Sequence, residues 1–176
     1  MTSSIRTERL VLEPLDPEVV RLLIRGDRAA AQQEAARKFP IEFPTADELA
    51  GFLPIQLKRM EDQPDRRDWM ARLMITREGE VIGHCGFHGP PDVIGRAEIG
   101  YTVFEPFRGR GFAKEAAQAL THWAFTQGEE RVFASVSPDN GPSLAVIRHL
   151  GFAQVGTQED EVDGLELVFA IERPSP

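Results

Sequence analysis

A single cysteine, Cys85, leaves this chain of 176 residues with no means of closing an intrachain disulfide, which removes the stapled secreted scaffolds from consideration. Tyrosine is nearly as scarce, with Tyr101 alone, so any chemistry that needs a phenol has one place to find it. No stretch approaches the ~20 consecutive apolar residues of a membrane span, and the opening MTSSIRTERL has no apolar core of the kind a secretory leader carries. A cytoplasmic protein is expected. Positive charge is also in deficit, 20 Lys and Arg against 28 Asp and Glu for a net charge of -8. Such a surface repels nucleic acid and anionic membrane, and neither is expected as a main partner. Internal repeats and low-complexity linkers are absent.

What is present is an ordinary globular composition, 41% hydrophobic and 27% charged, at a length that suits one domain over residues 1–176. The segment RLVLEPL (9–15) alternates and reads as a strand. A helical region from 16 to 68 comes next, broken near Gly26, with Thr45 and Glu48 spaced as a capping box ahead of a second helix to Met60. The segments 69–78, 80–88 and 96–104 read as an antiparallel meander punctuated by Glu78-Gly79 and Gly89-Pro90-Pro91. A long helix over 111–127, a strand over 131–137, a short helix over 141–149 and a hairpin around Asp163-Gly164 complete the chain. The expectation is an α/β (α+β) fold with a mixed, mostly antiparallel sheet flanked by helices.

Function concentrates in FRGRGFAKEA (107–116). A strand that feeds a helix through a glycine turn leaves N–H groups unpaired at the positive end of the helix, with no side chain to keep a phosphate away. Against an acidic chain, Arg108, Arg110 and Lys114 make this spot locally cationic, suited to a phosphorylated small molecule. The Walker pattern fails because Gly109 and Gly111 are too close together and Glu115 comes after Lys114. The dinucleotide fingerprint fails because a lysine occupies the third glycine position and the preceding strands form a meander. The pattern Q/R-x-x-G-x-G/A is met by Arg108, Gly111 and Ala113. A turn with merely solvated arginines would carry the same residues. Downstream, N-x-x-S at Asn140 and Ser143 precedes Leu150-Gly151-Phe152; a capped helix alone would account for it.

Taken together with EIGYTV, these motifs make the chain resemble the RimJ/RimL-type branch of the GNAT superfamily of N-acetyltransferases from TERLVLEPL to the final hairpin. The resemblance implies acetyl-CoA as acyl donor, no metal, and direct transfer to a primary amine on a small molecule or a protein N-terminus. It implies that the turn of Arg108, Gly109, Arg110, Gly111, Phe112 and Ala113 holds the pyrophosphate. It also implies that the strands holding Glu98–Val103 and Val132–Ser137 splay apart, so that pantetheine pairs with backbone groups of Thr102, Val103 and Phe104. Asn140 and Ser143 would meet the pantetheine and thiol end. Glu98 is the candidate base, directly or through water; facing solvent or pairing with an arginine is the alternative. Ser143 is the candidate donor to the departing sulfur. Relatives that use a tyrosine acid carry it on the helix after Ser135, where this chain has none, so Tyr101 is expected in the core or cleft wall.

A metal at His84, Cys85 and His88 is not expected, since alternation in a strand turns Cys85 away from the two histidines. Cys85 has no recognisable base partner, and His122 and His149 fall on helices as surface or core groups. The acidic run 159–163 reads as a solvated turn that would also draw a cation. An acyl-CoA sensor without turnover, or a binder of another phosphorylated ligand such as a nucleotide, would share the turn. The helical region 16–68 is expected to line the acceptor side, while the acceptor itself, the acyl length and a homodimer are left open by the sequence.

Overall fold

The computed structural model describes residues 3–175, so Met1, Thr2 and Pro176 of the expected domain lie outside the described residues. The strands are β1 (Ile5–Arg6), β2 (Leu10–Pro14), β3 (Ala71–Thr76), β4 (Val81–Phe87), β5 (Ala97–Val103), β6 (Arg131–Val136), β7 (Ala153–Asp160) and β8 (Gly164–Glu172). They form one eight-stranded sheet in the order β1-β2-β3-β4-β5-β6-β8-β7. Every neighbouring pair is antiparallel except β5 and β6. The mixed, mostly antiparallel sheet expected from the sequence is therefore present.

Helices α1 (Pro17–Ile24), α2 (Arg28–Ala35) and α3 (Leu53–Asp62) cover one face, and α5 (Phe112–Thr126) and α6 (Gly141–His149) the other. A one-turn helix, α4 (Pro91–Ile94), sits before β5. Alternation decides which side chains go where. Ala97, Ile99 and Val103 point to α5, where Ala116, Ala117, Leu120 and Ala124 are buried, because a helix presenting alanines can lie close to a sheet. The opposite face seats Leu15, Val20, Phe43, Leu53, Leu73 and Phe104.

Asp16 caps α1 by accepting from the Glu18 amide, and Asp27 caps α2 by accepting from Ala30, with Gly26 separating the two helices. The capping box forms in both directions: the Glu48 amide donates to Thr45 Oγ1 at 3.1 Å, and the Thr45 amide to the Glu48 carboxylate at 2.8 Å. The helix beyond the box differs from expectation. Residues Glu48–Phe52 make a π-helical turn before α3 begins, and the Glu48 side chain reaches back to His84 Nε2 at 2.6 Å. The strand expected over 69–78 is also shorter, since a 3-10 turn occupies Pro64–Trp69 and β3 starts at Ala71.

Candidate active site

The parallel pairing of β5 with β6 covers only Ala97 with Val132 and Glu98 with Phe133. Beyond Glu98 the strands part, while β5 keeps its other edge on β4 as far as Val103. A cavity of about 650 Å³ fills the opening and extends to the start of α5. Its walls include Tyr101, Val103, Arg108, Gly111, Asn140 and Ser143.

Antiparallel ladders alternate, so the residues of β5 turn their backbone groups to β4 and to β6 in turn. The His88 amide donates to the Glu98 carbonyl and the Phe104 amide to the Ile82 carbonyl, both at 2.9 Å, which fixes the even-numbered residues on the β4 side. Tyr101 and Val103 therefore direct their backbone toward the gap. This corrects the expectation for Phe104: its N–H is taken by Ile82, its carbonyl accepts from the Phe107 amide at 2.9 Å, and its ring is buried against Phe43 on the far face. Thr102 borders the cavity, but by the same alternation its backbone belongs to β4. The Val103 carbonyl accepts from Arg108 Nε at 2.9 Å, which pins the arginine stem to the end of the strand.

At the other end, Gly109 and Gly111 both adopt left-handed backbone, with φ of 75° and 81°, a conformation costly for any side chain with a Cβ. Gly111 is the N-cap of α5 and offers no capping side chain. Among the described residues no protein group accepts from the N–H of Gly109, Arg110, Gly111, Phe112, Ala113 or Lys114; the first helical bond is Glu115 to the Gly111 carbonyl. These amides sit at the positive end of a 15-residue helix on the cavity wall, an arrangement that fits a diphosphate. Phe112 and Ala113 also border the cavity, as does Lys114. The Arg110 side chain does not; it folds back over Phe107, so only its backbone amide belongs to this group of N–H donors.

Sequence reasoning missed the support of this turn. Glu115 receives the Thr7 hydroxyl at 2.6 Å, the Arg9 amide at 2.7 Å and Arg9 Nε at 2.7 Å, while Arg9 Nη1 donates to the Arg110 carbonyl at 2.8 Å. Residues more than a hundred positions apart thus clamp the glycine turn from below. Burial alone would push the Glu115 carboxyl up, but the hydrogen bonds from Thr7 and Arg9 outweigh it and hold the group below the ordinary carboxylate range. A carboxyl depressed on folding adds stability above its unfolded pKa and loses it as pH falls through the folded value. Glu115→Gln is expected to lose about 1–2 kcal/mol at pH 7. It should also decline less steeply than the native chain when denaturant melts are taken below about pH 4.5, the window in which a free glutamate titrates.

Asn140 and Ser143 both line the cavity. Asn140 Oδ1 caps α6 by accepting from the Ser143 amide at 3.1 Å, so the cap and a ligand-facing position are the same feature. The Tyr101 hydroxyl donates to the Ser143 carbonyl at 3.4 Å, placing the lone tyrosine on the cleft wall. Glu98 is elsewhere: it is 4% exposed, borders neither this cavity nor a neighbouring one of about 280 Å³, and is bonded through Oε2 to Arg96 Nε at 2.6 Å. Pairing with an arginine is thus realised for Glu98. Residues 16–68, expected on the acceptor side, border neither cavity.

Cys85 is buried in the α5-side core, and burial pushes its thiol up to about 12 despite a smaller opposite pull from Arg72, which leaves no thiolate for catalysis. His84 lies on the opposite face, stacked on Phe52. Among the described residues no group of three His, Cys, Asp or Glu side chains is placed to hold a metal, and no helix is long and apolar enough to cross a membrane.

Residues 9–153 match the family model described as Acetyltransferase (GNAT) domain. The chain belongs to the GNAT acetyltransferase family. It is similar to the uncharacterized N-acetyltransferase p20 of Bacillus licheniformis, 39% identical over 89 residues, which is 50% of each chain. It is similar also to the ribosomal-protein-serine acetyltransferase of Escherichia coli, 35% identical over 52% of this chain and 51% of that one. These matches span about half the length of either relative. An acetyltransferase structure from Agrobacterium tumefaciens superposes over 98% of this chain and 96% of its own, with a TM-score of 0.65 and 27% identity. The GNAT-type fold read from the motifs is accordingly shown, and the similarity to a ribosomal-protein-serine acetyltransferase agrees with the RimJ/RimL-type branch.

Proposed function

We propose that this GNAT chain is a single-domain N-acetyltransferase that moves an acetyl group from acetyl-CoA to a primary amine by direct transfer in a ternary complex. The observation that carries the reading is the continuity of one cavity from the unpaired amides at the start of α5 to the gap between β5 and β6. The residues fit the donor. Amides of Gly109–Lys114 with Arg108 and Lys114 offset the pyrophosphate charge, and the backbone of Tyr101 and Val103 pairs with an amide-bearing arm as a further strand would. Unpaired groups at such an edge favour an amide-like occupant, because leaving them buried and unbonded is costly.

The Val103 N–H polarises the thioester oxygen, since a fixed donor aimed at developing negative charge lowers the barrier more than mobile water does. Asn140 positions the arm. The Ser143 hydroxyl donates to the departing sulfur, and Glu98 supplies the carboxylate of the acid–base system on the amine side of β5. An amine near pKa 10.4 is mostly protonated at neutral pH, so removal of one proton has to precede attack.

The test is thiol release from acetyl-CoA with a panel of primary amines, including polyamines, amino acids, aminoglycosides and peptides with free N-termini. Thermal shift with coenzyme A against ATP runs alongside. The expected outcome is stabilisation by coenzyme A alone and turnover with at least one amine; stabilisation without turnover would make the chain a sensor, and stabilisation by ATP a nucleotide binder. Ser143→Ala is expected to keep coenzyme A affinity and lose about tenfold in thiol release, because the cap uses its backbone N–H and not its hydroxyl.

A further inference from the structure

The geometry points to His88 as the catalytic base of this chain, with Glu98 as its positioning residue; this rests on the transferase reading above. The smaller cavity, about 280 Å³, is lined by His88, Gly100, Tyr101, Ser143, Asp163 and Glu166 among others. Tyr101, Asn140 and Ser143 border both cavities, so the two meet where the acyl end of the donor is proposed to lie. An amine that enters through the smaller cavity meets the thioester at that junction, and the carboxylates of Asp163 and Glu166 on its wall favour the cationic form in which the amine arrives.

Glu98 is badly placed to take the proton itself. Arg96 holds its Oε2 through Nε at 2.6 Å and Nη2 at 2.5 Å, and the same Nη2 reaches Gln158 Oε1 at 2.7 Å. Its Oε1 is buried with no hydrogen-bond partner, and His88 Nδ1 stands 3.6 Å from it. That separation is an ion-pair distance rather than a hydrogen bond, of the length that tightens when a catalytic complex assembles. The fixed carboxylate therefore faces one edge of the ring. The other edge lies over Gly100: a Cβ built there would stand 2.9 Å from His88 Nε2. Only glycine at 100 lets the imidazole rest against the strand, with Nδ1 toward Glu98, Nε2 over Gly100 and the residue on the wall of the cavity. The His88 side chain is 48% exposed and Glu98 6%, so one member meets the substrate and the other is shielded from it.

Atoms and charges balance in the step this geometry allows. His88 Nε2 takes a proton from the ammonium, the freed nitrogen pair forms the C–N bond to the acetyl carbon, and the C–S bond breaks. The second proton shed by nitrogen as the amide forms goes to the departing sulfur, and the imidazolium returns its own proton to water. An imidazole suits this cycle because one ring nitrogen can accept a proton while the other is oriented by a carboxylate.

The experiment compares wild type, His88→Gly, Gly100→Ala and Glu98→Gln by thiol release with the best amine of the panel, and by calorimetric titration with coenzyme A. His88→Gly is expected to lower kcat about 100-fold with coenzyme A affinity and the amine KM unchanged, to lose the acid limb of its pH–rate profile, and to regain about tenfold with added imidazole. Gly100→Ala, which displaces the ring tip, is expected to cost about tenfold. Glu98→Gln is expected to cost about tenfold in kcat and to gain nothing from added imidazole. Wild-type kcat and pH profile in His88→Gly would overturn the assignment. Should His88→Gly lose coenzyme A binding through misfolding, wild-type turnover by a coenzyme A-binding Gly100→Ala would overturn it equally. A native chain that binds coenzyme A yet acetylates no amine would bring down the transferase reading first, and this assignment with it.

Discussion

Coenzyme A is expected to bind Gly111→Val about 1,000-fold more weakly than it binds the native chain, a loss of roughly 4 kcal/mol. Three contributions lead to that figure. A β-branched residue at φ 81° is strained by roughly 1–2 kcal/mol, which the turn relieves by rotating its peptide units away from the native direction. Rotation spoils the convergence of the amides from Gly109 to Lys114, and each charge-assisted bond to a phosphate lost in this way is worth about 1.5–3 kcal/mol. The isopropyl group also projects toward Arg9, whose Nη2 would lie 3.4 Å from the new Cβ, and so presses on the clamp beneath the turn. Calorimetric titration measures the affinity. The melting temperature of the unliganded protein should fall by only a few degrees, because the turn is exposed and the helix behind it is held by its buried alanines. If Gly111→Val retained affinity within tenfold of the native chain, the amides would not be the anchor.

The second large effect concerns stability. Arg72 is fully buried in β3, donates to the Ser3, Leu12 and Asp68 carbonyls and to Asp68 Oδ1, and lies over the Trp123 ring at 5.4 Å. One guanidinium thereby ties the N-terminal segment, β2 and the turn before β3 to the α5 face. Arg72→Ala is expected to destabilise the protein by about 3–5 kcal/mol, since it strands those carbonyls and the Asp68 carboxylate and opens a void beside Trp123. Urea unfolding should show the midpoint falling with the slope unchanged; a loss under about 1 kcal/mol would mean that water replaces the guanidinium at little cost. Arg72→Met should recover part of the loss through volume alone.

Seven of the eight strands are legible in the sequence because short apolar runs bounded by turn residues mark them, whereas β1 (Ile5–Arg6) is too short to register; α5 and α6 are legible because alanine periodicity and Asn140 announce them. The glycine turn is legible for the same local reason: two glycines at a strand-to-helix junction prescribe both the backbone and the exposed amides. Elements that depend on geometry across the chain are not. The π-helical turn over 48–52 shares its apolar spacing with an α-helix, and what distinguishes it is the reach of Glu48 to a histidine 36 residues away. Phe104 falls on the other edge from the one expected, because alternation gives a parity only once a register is known, and the sequence carries no register for β4 against β5. The Thr7–Arg9–Glu115 clamp and the approach of His88 to Glu98 join residues whose types are unremarkable in isolation.

The two-rung seam between β5 and β6 makes the molecule mechanically two plates hinged at one corner: β1 to β5 on one side, and β6, β8 and β7 on the other. Apart from that seam, α5 is the principal brace across the join, touching β1, β2, β4, β5, β6 and α6. An occupant that adds rungs between the plates would act as a zip fastener, slowing deuterium uptake on facing edges that otherwise breathe independently. Rigidity in this protein would then be conferred by the molecule it consumes, and surrendered each time the product departs.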